Sequence, residues 1–157
     1  LVGEFAAAYN YGVFLGKDQH LDITTNAQHL YRNTKGDILV KGAVFDKATS
    51  VHRGEITVEN EARQANSNFT GHTLVFEGGK ANAIPSLVIK TNDVKVKHAA
   101  WVSQVDDEQL FYIMSRGLSK DEAVKEIILG HYNSIIDKID NKNIKEEVMK
   151  TVMERLL

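Results

Sequence analysis

The sequence predicts a mainly β chain that ends in a small α-helical domain. Three features carry this: short β-branched runs up to about His98, a change of hydrophobic period after Trp101, and two helix-capping patterns behind that change. The runs are Ile38-Leu39-Val40, Ala43-Val44-Phe45, Ile56-Thr57-Val58, Thr73-Leu74-Val75-Phe76, Leu87-Val88-Ile89 and Val94-Lys95-Val96, and each reads as a strand. Gly36, Gly42, Gly54, Gly71 and Gly78-Gly79 punctuate them and read as turns that use positive φ. The only proline, Pro85, reads as the front edge of a strand, where its missing N–H does least harm. Sandwich, barrel and solenoid all satisfy this pattern, and no strict short repeat is visible.

Asp106-x-x-Gln109 has the form of a capping box, Leu110, Ile113 and Met114 follow at helical spacing, and Gly117 is a left-handed stop. Leu110, Ile113, Met114 and Phe111 are expected to face a core. Ser119-x-x-Glu122 opens a second helix with Ala123, Ile127 and Ile128 as its stripe before Gly130. The segment from Tyr132 to Ile139 either extends that helix or forms its own. A third helix opens near Asn143-x-x-Glu146 and carries Ile144, Val148, Val152 and Leu156, with Met149 and Met153 beside them. The expected division is residues 1–102 for the β part and 103–157 for the helical part.

Composition narrows function. The 157 residues are 43% hydrophobic and 25% charged with a net charge of -2, which is ordinary for a folded domain and gives no global cationic field. No Lys/Arg tract with interleaved aromatics appears, so neither nucleic acid nor an anionic membrane is an expected partner. No apolar run approaches a membrane span, and Leu1-Val2-Gly3-Glu4-Phe5 does not read as a signal peptide, so a cytoplasmic setting is expected. The absence of cysteine removes disulfides, thiolate nucleophiles and thiolate metal sites. Ala6-Ala7-Ala8-Tyr9-Asn10-Tyr11-Gly12-Val13-Phe14 reads as the middle of a pattern, so the chain is expected to be part of a longer one.

The densest signature is Asp106-Asp107-Glu108-Gln109-Leu110-Phe111-Tyr112-x-x-Ser115-Arg116-Gly117, preceded by Val96-Lys97-His98-Ala99-Ala100-Trp101. It resembles the C-terminal core of the SufB and SufD proteins, most closely over Asn82 to Gly130 and continuously back to about Thr34. The resemblance implies a right-handed parallel β-helix followed by a small C-terminal helical domain, in a scaffold without catalysis of its own on which iron–sulfur clusters are built. It also implies a SufB-like subunit and a SufC-like ATPase as partners, and a homodimer when the chain is alone. A cluster would then pass transiently through the complex, with no cofactor in the isolated chain.

The same resemblance makes His98 the candidate cluster ligand at the interface between SufB and SufD, a role open to a neutral imidazole nitrogen. SufB carries a glutamate after this histidine, where Ala99 stands here; alignment on Pro85 puts its essential cysteine at about Gly79. Some SufD proteins carry cysteine where this chain has Val96. These positions make the match SufD-like. In the helical segment the family docks its ATPase, which makes Asp107, Gln109, Phe111, Tyr112, Arg116 and Gly117 candidates for that surface.

Other residues offer less. His29, His52, His72, and His20 beside Asp18 and Asp22, lack metal-ligand spacing and read as solvated or hydrogen-bonded loop histidines; His131 reads as a cation at a helix end. Arg63-Gln64-Ala65-Asn66-Ser67-Asn68 reads as amides stacked at equivalent corners. Gly78-Gly79-Lys80-Ala81 lacks the remainder of a phosphate loop, and no Ser/His/Asp set appears. Two alternatives stay open. One is a β-helix carbohydrate-active enzyme using Asp18, Asp22, Asp37 or Asp46, opposed by the lack of an aromatic stripe; the other is a homomeric scaffold acting without SufB.

Overall fold

The computed structural model describes residues 1–156. Seven strands come first: β1 (Ala7–Lys17), β2 (His20–His29), β3 (Lys35–Phe45), β4 (Thr49–Val58), β5 (Asn66–Val75), β6 (Lys80–Ile89) and β7 (Lys95–Gln104). Odd strands form one parallel sheet in the order β1-β3-β5-β7, and even strands form a second in the order β2-β4-β6. The chain therefore winds as a parallel β-solenoid of about three turns, with its two sheets facing each other. Each turn lies in register on the last: Ala7 pairs with Lys35, Lys35 with Asn66, and Asn66 with Lys95. These steps differ in length, which hides the repeat from a search for a fixed period.

Side chains alternate between the lumen and the outside. In β4, Ser50, His52, Gly54, Ile56 and Val58 are buried, while the residues between them are more exposed. Ile38, Val40, Ile56, Val58 and Phe69 form the lumen core. The corners have their own rule. Asp18 (φ 54), Asp46 (φ 58) and Gly78 (φ 80) take the left-handed conformation where the chain leaves the first sheet. Phe5 (φ 62), Asn33 (φ 59) and Gln64 (φ 59) do so where it returns. Backbone bonds stack these corners: Asn33 N–H donates to Arg63 O at 2.9 Å and Asp46 N–H to Glu77 O at 3.1 Å. Asn33 and Gln64 thus occupy equivalent corners, but Asn66, Ser67 and Asn68 lie on β5 and not at a corner, and the Asn68 amide donates to Asp37 instead of to another amide.

The glycines correct the sequence reading. Gly36, Gly42, Gly54 and Gly71 lie inside strands, and among the residues read as turns only Gly78 uses positive φ. At Gly42 and Gly54 the reason is space, because a Cβ would overlap the rings of Phe14 and Phe69. Pro85 likewise sits inside β6, not at its front. It is tolerated there because β6 is an edge strand and one side of it needs no N–H.

Three helices follow: α1 (Asp107–Met114), α2 (Lys120–Ile136) and α3 (Lys142–Arg155). Asp106 caps α1 by accepting from Gln109 N–H at 2.7 Å, and Ser119 with Glu122 closes a reciprocal box on α2. Gly130 does not stop α2, which continues to Ile136, and α3 starts from Asn141 as its cap, ahead of the expected Asn143. The helices share a core with the outer face of the first sheet: Leu110, Ala123, Ile128, Tyr132, Ile136 and Val152 pack with Ala43, Leu74 and Phe76. Tyr132 is wholly buried, and its hydroxyl donates to Phe14 O. Phe111 and Met114, expected in the core, point outward, because α1 is short and buries only the line through Leu110.

A side chain at Gly78 would combine positive φ with a collision against the Asp46 carbonyl. Gly78→Ala should therefore lower the unfolding free energy by about 2 kcal/mol or more. Urea denaturation monitored by circular dichroism measures this, and an unchanged midpoint would refute the corner rule.

Candidate functional site

His98 lies on β7, the last strand of the solenoid, and pairs with Phe69 of β5. Its side chain faces the lumen, where the rings of Phe14, His52, Phe69 and His98 form a column with successive centroids 6.2, 5.4 and 4.3 Å apart. Both His98 ring nitrogens are buried and neither makes a hydrogen bond of normal geometry among the described residues. Burial holds the imidazole below its usual pKa, an effect that the facing Ser86 backbone offsets only in part. The ring is therefore neutral near pH 7, with one nitrogen carrying a lone pair that is closed off in the lumen.

Ala99 points the other way and pairs with Thr70. Gly79 is elsewhere, at the corner after β5, where its N–H donates to Phe76 O at 3.0 Å. Val75, the last residue of β5, pairs with Gln104, six positions or roughly 20 Å beyond His98 at about 3.3 Å per residue, and Gly79 lies past that end of the strand. The structure therefore does not bring Gly79 and His98 together. A Cβ at Gly79 would lie 2.7 Å from Val44 O, so the corner has no room for a side chain. The position beside Ala99 on the preceding turn is Thr70, which also lacks a thiol.

The six candidates in the helical segment lie on α1 and the turn that follows it. Asp107, Gln109, Phe111, Tyr112, Arg116 and Gly117 are all exposed, Phe111 at 73% and Tyr112 at 60%. Arg116 stacks on the Tyr112 ring at 4.9 Å and also donates to its hydroxyl. Gly117 (φ 97) turns the chain between α1 and α2.

The remaining histidines are on secondary structure, which corrects their reading as loop residues. His29 and His52 are buried on β2 and β4, where they bond Thr34 Oγ1 at 2.8 Å and Thr25 Oγ1 at 3.2 Å. His20 begins β2 and bonds Thr49 Oγ1 at 2.6 Å. His131 is inside α2 rather than at a helix end, because α2 runs past Gly130. It packs edge-on against His72 at 4.6 Å and bonds His72 O at 3.2 Å, while Lys41 donates to His131 O at 2.9 Å. His72 in turn stacks on Trp101 at 4.7 Å and bonds Ser103 Oγ at 3.0 Å. Burial first, then Lys41 and His72, push His131 down to about 4. This cluster, which seats α2 on the solenoid, was not legible from spacing, because it joins residues from three strands and a helix.

Among the described residues no group of three or more His, Asp or Glu side chains converges to hold a metal ion. No helix among them is long and apolar enough to cross a membrane. Fold and site together define a β-solenoid with a helical flank that offers one unpartnered imidazole at its terminal turn and no enclosed metal centre.

Comparison with known proteins agrees with that class. The family model for the SUF system FeS cluster assembly SufBD core domain matches residues 1–131. Similar relatives include the iron-sulfur cluster assembly protein SufD of Bacillus subtilis (strain 168), 33% identical over 139 residues, covering 88% of this chain and 32% of the relative. The SufB protein of the same organism is 35% identical over 132 residues, covering 83% of this chain and 28% of the relative. The SufBD family protein ML0594 of Mycobacterium leprae (strain TN) is 29% identical over 155 residues, covering 92% and 40%. The chain belongs to the SufB/SufD family of iron–sulfur cluster assembly proteins. It spans about a third of the length of these relatives.

Five histidines, His29, His52, His72, His98 and His131, have pKa values lowered chiefly by burial. The unfolded chain, with ordinary values near 6.5, then takes up protons before the folded one. Their contribution to stability is complete above about pH 6.5 and falls as pH drops toward 4, with His131 the last to protonate. Urea midpoints measured from pH 7.5 to pH 4.5 should decrease, and His131→Gln should flatten the decline. An unchanged slope in the variant would contradict the assignment.

Proposed function

We propose that this chain is the C-terminal part of a SufD-like scaffold subunit, without catalysis of its own, that pairs with a SufB-like subunit and docks a SufC-like ATPase in the cytoplasm. The observation that carries the reading is the ligand inventory: no cysteine in the sequence and one unpartnered imidazole, His98, on the terminal turn. Overall identity does not separate the two kinds of relative, at 33% for SufD and 35% for SufB, and the SufD-like reading is supported by ligand chemistry. Soft thiolate holds iron and sulfide far better than imidazole, so a chain with His98 and Ala99 contributes to a cluster only where a cysteine-bearing partner faces it.

The open end of the solenoid supports pairing there. β6 and β7 close their sheets on one side, and Leu87 and Ile89, on positions that face the lumen, are each 44% exposed. Unpaired edges with apolar residues behind them favour strand addition by a partner or a second copy. For the ATPase, the exposed Phe111, Tyr112 and Arg116 supply the aromatic and guanidinium anchors common at the centre of interfaces. Once the ATPase binds nucleotide and moves the pair, His98 becomes available to iron and sulfide, which are the cargo of the complex.

No observation favours glycan processing: Asp22 is paired with Arg53, and Asp37 accepts from Tyr11 and Asn68. A homomeric scaffold is the alternative that the open end also accommodates.

Anaerobic reconstitution of the isolated chain with iron and sulfide should leave no stable cluster after desalting, judged by visible absorption and by iron and sulfide content. A stoichiometric cluster would sink the ligand reading. In the complete complex, His98→Ala should impair cluster formation while leaving ATPase affinity intact by calorimetry. Phe111→Ser should weaken ATPase affinity and, through it, cluster formation, while its exposure should keep its stability within about 0.5 kcal/mol of the parent. Light scattering across a concentration range tests pairing, and a strict monomer that also fails to associate with a SufB-like subunit would refute it.

A further inference from the structure

We infer that Phe69 is the positioning residue for the His98 imidazole, and that Gly54 exists to seat it; the inference rests on the reading of His98 as the chain's cluster ligand. A ligating histidine ordinarily has one nitrogen hydrogen-bonded, which fixes the ring and its tautomer while the other nitrogen meets the metal. His98 has no such bond of normal geometry among the described residues, and the facing Ser86 backbone interacts with it only weakly. Packing is left as the main determinant of where its lone pair points.

The packing partner is itself fixed. Phe69 is 1% exposed and lies beside His98 in register, with centroids 4.3 Å apart and planes at 55°. The tip of its ring crosses the lumen into the notch over Gly54 on the opposite sheet. There a Cβ would overlap Cζ and Cε2 and stand 2.8 Å from Cε1. On its other side His52 packs at 5.4 Å, and His52 is held by Thr25 at 3.2 Å. The phenyl ring is wedged between the Gly54 backbone and a tethered imidazole, and it presents one surface to His98. Both histidine nitrogens stay uncommitted while the ring stays oriented, which suits a ligand that a partner's metal must capture.

The test is nuclear magnetic resonance of the full chain with labelled histidine. In the unaltered protein, Phe69 and His98 ring protons should show cross-relaxation, and the His98 ring signals should carry a ring-current shift. Phe69→Leu, which retains most of the volume, should abolish that shift. Gly54→Ala keeps the phenyl ring but displaces it, so it should move the His98 signals with Phe69 still present. Absence of cross-relaxation in the unaltered protein overturns the inference without any variant having to fold. So do unchanged His98 signals in a folded Phe69→Leu.

Cluster formation in the complex with the cysteine-bearing subunit separates the two readings. Several-fold slower assembly in both Phe69→Leu and His98→Ala supports both. Loss only in His98→Ala overturns the positioning role and keeps the ligand. If neither variant slows assembly while the resonance result holds, the ligand reading fails and Phe69 remains the residue that orients His98.

Discussion

Everything in this molecule depends on the in-register stacking of one turn on the next. Parallel pairing fixes which residue stands over which, and the period of two then assigns each side chain to the lumen or the outside. Left-handed residues at six of the corners keep the register by letting the backbone reverse direction, and at Asn33, Asp46 and Gln64 the amide also bonds the corner above. Slipping one strand by a single residue would place His98 outside and Ala99 in the lumen. The position of the one imidazole that matters for the proposed chemistry is thus a consequence of backbone geometry set several turns earlier.

The helices depend on the same register for a different reason. Ala43 and Leu74 are outward residues of β3 and β5, and they are buried only because α2 lies on them. Burial of the Ile128 and Tyr132 side chains against that face contributes roughly 2 to 3 kcal/mol each, and the uncapped turns of a short solenoid need this cover. The contact is polar at one end, where His131, His72 and Lys41 meet, and apolar at the other, around Phe76 and Leu110. Solenoid and helices are therefore one folding unit, and the exposed residues of α1 are presented on a firm base instead of a flexible tail.

Local chemistry was legible in the sequence where it acts within a few residues. Ser119-x-x-Glu122 closes as a capping box, and the strand runs up to Val96 all lie on strands or their immediate ends. Relations between turns were not legible. Gly42 and Gly54 look like turn glycines because the usual reason for a glycine between apolar runs is backbone freedom; here it is a phenyl ring arriving from another turn or the opposite sheet. The buried histidines look like loop residues for the same reason, since Thr25 and Thr34 satisfy them only after the chain has wound. The family signature reached further, because it encodes the end of the solenoid and the start of the helices together.

The lumen keeps the His98 imidazole neutral and free of a side-chain partner. A histidine exposed on a surface would be solvated and free to protonate, and one tied by a carboxylate would be committed to a tautomer. Burial next to Phe69 avoids both, since desolvation keeps the ring neutral and the phenyl face offers no hydrogen bond. The cost is two unsatisfied nitrogens, a penalty of about 1 to 3 kcal/mol per buried polar group. That penalty is relieved, on the proposed reading, when a metal takes the ring's lone pair. On the proposed reading, a thiolate from the partner supplies the strong bond, and the unsatisfied imidazole supplies a site that gains stability only once the partner is in place.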